Sequence, residues 1–295
     1  MSSKCLTNDE IKAQASSLGF VACGVVKAAP VDALFADSYL RCVELGYFAG
    51  MDYMTRNVEM RLNPLLLHPG VCTIVSLAIN YMPAARQPAI CLYAQGEDYH
   101  EVLKQRMRLL MERLGGHGRC FVDTAPVMER YWAWRSGVGT FCRNGLISVP
   151  GYGPTVFLGE LFLEETVDRY DSPLQPASSL SAGWQDFCPA LTPQGLDARL
   201  CLNYWTIEHR GDLPSEMHLT RSFYGCDRCM RACPEFREVR PTTDSAFQPS
   251  PSLLAMSGED WRTLTVERFR ELFRHSAVKR AKYEGLMRNI RHWTP

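Results

Sequence analysis

Apolar residues recur at three- and four-residue spacing over Asp98–Leu114, where Leu103, Met107, Leu110 and Leu114 share one face and charges fill the other. That period puts the apolar side chains on one stripe and predicts a surface helix. Val71–Ile79 (VCTIVSLAI) and Thr155–Leu163 (TVFLGELFL) are instead continuous apolar runs of strand length, and predict two buried strands. Thr7-Asn8-Asp9-Glu10 has the form of a capping box and predicts a helix that ends near Gly19. Thr124 is a candidate N-cap for a helix over Pro126–Ser136, with Gly137 as its stop. The alternation makes residues 1–170 a mixed layer of helices and strands. At 171–183 the composition shifts to DSPLQPASSLSAG, a linker candidate, and 241–252 (PTTDSAFQPSPS) reads as a second low-order stretch. The tail, 253–295, carries Phe269, Leu272 and Phe273 on one helix, then a basic helix from about Lys279 to Arg291.

Composition adds limits. A chain of 295 residues has room for one large domain and a small one. Lys+Arg and Asp+Glu both number 32, so the net charge is zero and gives no global attraction to nucleic acid or membrane. No apolar run approaches the ~20 residues of a membrane span. Met1-Ser2-Ser3-Lys4-Cys5 lacks a signal-peptide core, which points to the cytoplasm.

The 12 cysteines change the picture most. A long chain with ample core residues and no export signal needs no disulfide framework, so its thiols are expected reduced, and clustered ones point to metal. Cys5, Cys23, Cys42, Cys72, Cys120 and Cys142 are scattered singly and read as small buried hydrophobes. The last five lie between 188 and 233. Cys226-Asp-Arg-Cys229-Met-Arg-Ala-Cys233-Pro234 has the C-x2-C-x3-C-P spacing of bacterial ferredoxins, and Cys188-Pro189 is a second such pair with Cys201 between. A structural zinc site is the rival, but zinc sites more often show two C-x2-C knuckles. In two-cluster ferredoxins the fourth cysteine of each motif ligates the other cluster. By that rule Cys188, Cys201, Cys226 and Cys229 hold one 4Fe-4S cluster. Cys233 would serve a second one, whose remaining ligand positions are Ser178, Ser181 and Trp184. That cluster is expected to be lost, leaving Cys233 a free thiol. The set Cys201, Cys226, Cys229 and Cys233 stays open as the alternative.

Several further segments carry a resemblance. They are Gly96-Glu-Asp98-Tyr99-His100-Glu-Val-Leu, Val122-Asp123-Thr124-Ala-Pro-Val-Met-Glu129-Arg130, Arg135-Ser-Gly137-Val-Gly139 leading to Arg143-Asn144-Gly, and Phe157-Leu-Gly159-Glu160. Leu196-Asp197-Ala-Arg199-Leu-Cys201, Tyr224-Gly225-Cys226-Asp227 and the tail from Val278 to Asn289 continue it. Together, over about 1–291, they resemble the epoxyqueuosine reductases of tRNA queuosine biosynthesis. The resemblance implies an α+β fold, with a nitroreductase-like cobalamin-binding domain (1–170) and a bacterial-ferredoxin-like iron–sulfur module (184–240). It implies that the cluster passes single electrons to cobalt, and that reduced cobalamin converts the epoxide of tRNA-borne epoxyqueuosine to the alkene of queuosine. It puts Asp123 at the family's proton-donating aspartate. Such an acid works near neutral pH if burial raises its pKa, which Phe121, Tyr131 and Trp132 would suit. A helix N-terminal carboxylate near Pro126 is the plainer reading of Asp123. Arg61 matches a basic residue near the corrin side chains, and Cys91 a cysteine beside the cobalt face. Asn144 follows a glycine pair that lets backbone approach a flat ligand. The plainer readings of these three are a surface ion pair, a buried small residue and a turn cap. His100 is not required as an axial ligand. The implied partners are tRNA and an external low-potential donor such as ferredoxin or flavodoxin, with the protein a monomer.

The sequence also departs from the family. The first C-x2-C-x2-C triplet is missing. The aromatic stretch that ends in Lys-Asn is here Thr140-Phe-Cys142-Arg143-Asn144. No helical-repeat extension follows Pro295; some members use one for tRNA and others lack it. Phosphate contacts would have to come from Lys279, Arg280, Lys282, Arg288 and Arg291, which read equally as a solvated helix face. Two alternatives therefore stand: a corrinoid-dependent reductase of a small molecule, or a corrinoid-handling or electron-transfer protein without tRNA activity.

Overall fold

The structure, a computed structural model, describes residues 6–142, 144–174 and 188–294. The linker candidate lies outside them from 175 onward, as does Cys5.

The first half begins with α1 (Asn8–Ser17), β1 (Ala22–Lys27) and α2 (Ala33–Glu44), followed by α3 (Val58–Leu62), α4 (Pro64–Leu67) and β2 (Thr73–Asn80). It continues with α5 (Tyr99–Leu114), β3 (Gly118–Phe121), α6 (Glu129–Arg135), the short pair β4 (Thr140–Phe141) and β5 (Ile147–Ser148), and β6 (Val156–Leu163). Four strands form an antiparallel sheet in the order β1-β2-β6-β3. With helices on both faces, the architecture is α+β. Every residue of β2 is buried, as its unbroken apolar run predicts. Val75, Leu77 and Ile79 meet Leu103, Met107 and Leu110 of α5 on one face, while Ile74 joins Tyr131, Trp132 and Phe162 under α6 on the other. Burying each large α5 side chain contributes roughly 1.5–3 kcal/mol. Gly159 is glycine because a side chain there would meet Met107 Sδ at 2.7 Å.

The helix starts follow their caps. Thr7 accepts from the Glu10 N–H, and Asp98 from the His100 N–H. α5 stops at Gly115, whose φ of +62° suits a residue without a Cβ. The helix expected over Pro126–Ser136 begins later, at Glu129, and Thr124 does not cap it. The chain from Val122 to Val127 is taken up by tight turns, with Thr124 N–H donating to Val122 O and Val127 N–H to Ala125 O. Glu129 reaches back from the helix to accept the Asp123 N–H.

The second half holds β7 (Leu191–Thr192), β8 (Gly195–Leu196), α7 (Arg228–Arg231), α8 (Pro251–Leu254), α9 (Gly258–Arg262), α10 (Val266–Phe273) and α11 (Lys282–Arg291). The tail helices share a core with Ala89–Cys91, Ala94, Phe223 and Tyr224, so the chain end packs on the base of the cysteine loop. Residues 241–252 are not low-order. Phe247 is buried against Phe157, and the Ala246 carbonyl accepts the Glu97 N–H. The basic tail is largely committed internally rather than solvated. Arg280 pairs with Glu208, Lys279 with Asp98 and Glu101, and the buried Arg288 donates to the carbonyls of Trp205, His209 and Gly211. Lys282 and Arg291 remain exposed.

Candidate active site

The start of α5 and the turn before α6 bring four titratable groups together. Asp123 takes φ +55°, a strained conformation for a residue with a Cβ. The short bond from its N–H to Glu129 Oε1 (2.6 Å) helps hold it there. Tyr99 Oη donates to Asp123 Oδ2 at 2.5 Å, and His100 Nε2 lies 3.6 Å from the same oxygen. The other imidazole nitrogen, Nδ1, is 2.7 Å from Asp98 Oδ1. Tyr99 is itself stacked between His100 and Phe157, with ring centroids 4.0 and 4.3 Å away.

The electrostatics differ from the sequence expectation. Desolvation against the site wall works to raise the Asp123 carboxyl, but the nearby His100 imidazole and the Tyr99 hydrogen bond outweigh it and hold it below the usual range. The Asp123 side chain is 62% exposed, and Phe121, Tyr131 and Trp132 pack away from it around Val26 and Ile74. The raised groups are its neighbours. Burial, reinforced by the Asp123 charge, pushes Glu129 up to about 8. Burial opposes charge on His100, but the carboxylates of Asp123 and Asp98 prevail and raise it to about 9. At neutral pH the site therefore keeps its protons on His100 and Glu129, beside an ionised Asp123.

A second centre forms where the cysteines meet. The Cys188 and Cys229 side chains pack against the same buried cluster, close enough for each thiol to shift the other's acidity. Cys201 and Cys226 lie within electrostatic reach of Cys188 and of one another. Asn203 fastens the two segments, accepting from the Cys226 N–H at 2.6 Å and donating to the Cys226 carbonyl at 3.4 Å. Cys188 is the most acidic of the set, pulled down to about 6 by the neighbouring Cys229 thiol and the N–H groups of Ala190 and Leu191. The described cysteines are all free thiols. Four converging thiols without a disulfide are the donor chemistry of a 4Fe-4S cluster. Cys233 is turned elsewhere: its thiol contacts Cys142 and the Cys229 carbonyl. Cys142 is thus not an isolated buried hydrophobe.

The other sequence candidates are spread out. Arg61 is buried rather than in a surface ion pair, donating to the carbonyls of Val127 and Tyr53 at 3.3 and 3.4 Å. Its buried Nε finds no partner among the described residues and is free to donate to a polar or anionic group of a bound ligand. Cys91 is buried against the cysteine loop, its N–H donating to the Tyr224 carbonyl. A side chain at Gly225, where φ is +73°, would meet Cys91 Sγ at 2.1 Å. Asn144 points at sulfur, with Nδ2 3.5 Å from Cys233 Sγ. Gly137 and Gly139 let the chain approach itself closely, at Ser172 O and at Ile147 and Ser148. Tyr99 and Glu129 are site residues that residue types alone did not single out; both sit inside the two family-like segments that flank Asp123.

The family model described as epoxyqueuosine reductase QueG, DUF1730, matches residues 61–124, a stretch that holds Arg61, Cys91, Tyr99, His100 and Asp123. An epoxyqueuosine reductase of Cellulophaga algicola is 34% identical over 98% of this chain and 99% of its own length. The chain belongs to the epoxyqueuosine reductase family. The Escherichia coli epoxyqueuosine reductase is 32% identical over 83% of this chain and 69% of its own. A solved epoxyqueuosine reductase bound to an epoxyqueuosine-modified tRNA-Tyr stem loop superposes with a TM-score of 0.86, at 26% identity, over 96% of this chain and 79% of its own. The Bacillus subtilis enzyme, solved with a catalytic aspartate loop swung out of its active site, gives 0.84 at 25% identity, over 96% and 79%. No helix among the described residues is long and apolar enough to cross a membrane.

Proposed function

We propose that this chain reduces the epoxide of epoxyqueuosine in tRNA to the alkene of queuosine, with cobalamin and one 4Fe-4S cluster as its redox groups. The observation that carries the reading is the carboxylate of Asp123, exposed on a strained turn and backed by a protonated His100. Removing an epoxide oxygen as water consumes two electrons and two protons. When bound, the cobalamin and the cluster supply the electrons. Cys188, Cys201, Cys226 and Cys229 would hold the cluster, and Arg61 would meet polar groups of the cobalamin.

The proton route belongs to this chain's own residues. Asp123 rests ionised, so it takes a proton from His100 and passes it to the epoxide oxygen. Asp98 keeps the imidazole oriented and charged. Tyr99 fixes the carboxylate oxygen, and Glu129 fixes its backbone. General acid catalysis of this kind is worth roughly 10²–10⁴ in rate. In this reading residues 1–170 form a nitroreductase-like cobalamin domain, 184–240 a ferredoxin-like module and 253–295 a tail that braces both. An external low-potential protein such as ferredoxin or flavodoxin would be the electron donor. Lys282 and Arg291, the tail cations left exposed, would meet tRNA phosphates.

The test is oxygen-free purification with cobalamin supplied, then incubation with tRNA carrying epoxyqueuosine and a strong reductant. Nucleoside analysis should show queuosine. Corrin uptake without any queuosine would move the substrate to a small molecule.

A further inference from the structure

Cys142, Cys233 and Glu235 form a group that the four-thiol centre does not use. One donor atom from each lies within 4.8 Å of the other two. Both cysteines are buried, Cys233 with 1% of its surface exposed, and Glu235 is half-buried. Two different stretches build the group. Cys142 follows β4 in a turn closed by Cys142 N–H to Leu146 O and Gly145 N–H to Cys142 O. Cys233 and Glu235 flank Pro234 at the end of the cysteine loop. The buried Asn144 reaches across and donates to Cys233 Sγ, keeping the two stretches in register.

From these three donors we infer a mononuclear site for a thiophilic divalent cation, with zinc as the metal, distinct from the iron–sulfur centre. Two thiolates and a carboxylate are ligands zinc takes. In a tetrahedral site, Zn–S bonds of about 2.3 Å put the two sulfurs ~3.8 Å apart, within the spread found here. The two buried thiols already face each other within that spread, so a divalent cation between them takes up both sulfurs as thiolates and releases both thiol protons to solvent. A water completes the fourth position. Held this way, the metal clips the β4–β5 hairpin to the end of the cysteine loop.

The site is tested by counting metals on the full chain, purified without oxygen and unstripped. Iron and zinc are measured side by side, and Co²⁺ is then exchanged for zinc to look for sulfur-to-cobalt charge-transfer absorption. The expected result is about one zinc per chain, with C142S and C233S each losing at least tenfold in zinc affinity and E235Q losing less. Iron content in C142S should stay at the wild-type level, because its ligands are other residues. A zinc content unmoved by C142S, a cobalt form without sulfur absorption, or a Cys142–Cys233 disulfide in the freshly isolated protein would each overturn the site. Absence of iron with zinc retained would count against the cluster assignment and leave this one standing. Thermal melting of C142S and E235Q separates metal loss from misfolding.

Discussion

Lys279 Nζ sits 2.8 Å from Asp98 Oδ2, so a tail residue pins the carboxylate that orients His100. The same junction is tied by backbone, with the Asp98 N–H donating to the His275 carbonyl. The C-terminal segment is therefore part of the acid site's frame rather than an appendage.

Asp98 sets the charge on His100. With its folded pKa near 9 and an unfolded value of about 6.5, His100 adds stability that is complete below pH 6.5 and is lost as pH rises through 9. D98N removes one of the two carboxylates that raise it. An NMR titration of His100 should then show its pKa falling by more than a unit, and the alkaline limb of the pH–rate profile should move down with it. An unchanged His100 titration would contradict the assignment.

Glu129 acts through its neutral, hydrogen-bonding form. Its pKa near 8 leaves it mostly protonated at neutral pH, and Oε1 accepts the Asp123 N–H. Because that value is raised on folding, the residue's contribution to stability declines as pH rises from the ordinary carboxyl range through 8. E129Q keeps the acceptor and should retain most of the turnover. E129A frees the Asp123 turn and should cost about 10²-fold, the scale of a misplaced reacting group. Steady-state kinetics of the pair would decide, with equal losses contradicting the role.

Gly225 admits no side chain. G225A combines a left-handed penalty of roughly 1–2 kcal/mol with overpacking of roughly 1–3 kcal/mol against Cys91. Iron content after anaerobic reconstitution should fall below half, with far-UV circular dichroism little changed. Full iron loading would show that Cys91 does not buttress the loop.

The tail cations divide into two kinds. R288M strips the donor from three backbone carbonyls, each worth roughly 1–3 kcal/mol when left unsatisfied, and should lower the melting temperature by many degrees. K282E with R291E should leave melting unchanged but weaken tRNA binding and reduce the salt slope by about one per lost phosphate contact. Unaltered tRNA binding would place the nucleic-acid surface elsewhere.

Much of this was legible in the chain. The 3.6-residue period of α5 and the apolar runs of β2 and β6 are set by one-sided or complete burial, which leaves a pattern in sequence. The helix over 126–136 misled because Thr124 and Pro126 look like a helix start, whereas Asp123 in a left-handed turn makes that segment a loop. The proposed four-thiol set follows from motif spacing. The contact of Cys142 with Cys233 could not, since it depends on how the β4–β5 turn packs on the cysteine loop. Composition left the tail open between a phosphate-contact patch and a solvated face, because ion pairs such as Lys279–Asp98 exist only once distant segments meet.

The most direct test of the account compares the chain with its Asp123→Asn variant on epoxyqueuosine-bearing tRNA, both loaded with iron and cobalamin to equal extent. The wild type should form queuosine, and the variant should bind tRNA normally while its turnover falls by at least about 10²-fold. Undiminished queuosine formation by the variant would mean that the proton reaches the epoxide oxygen by another route.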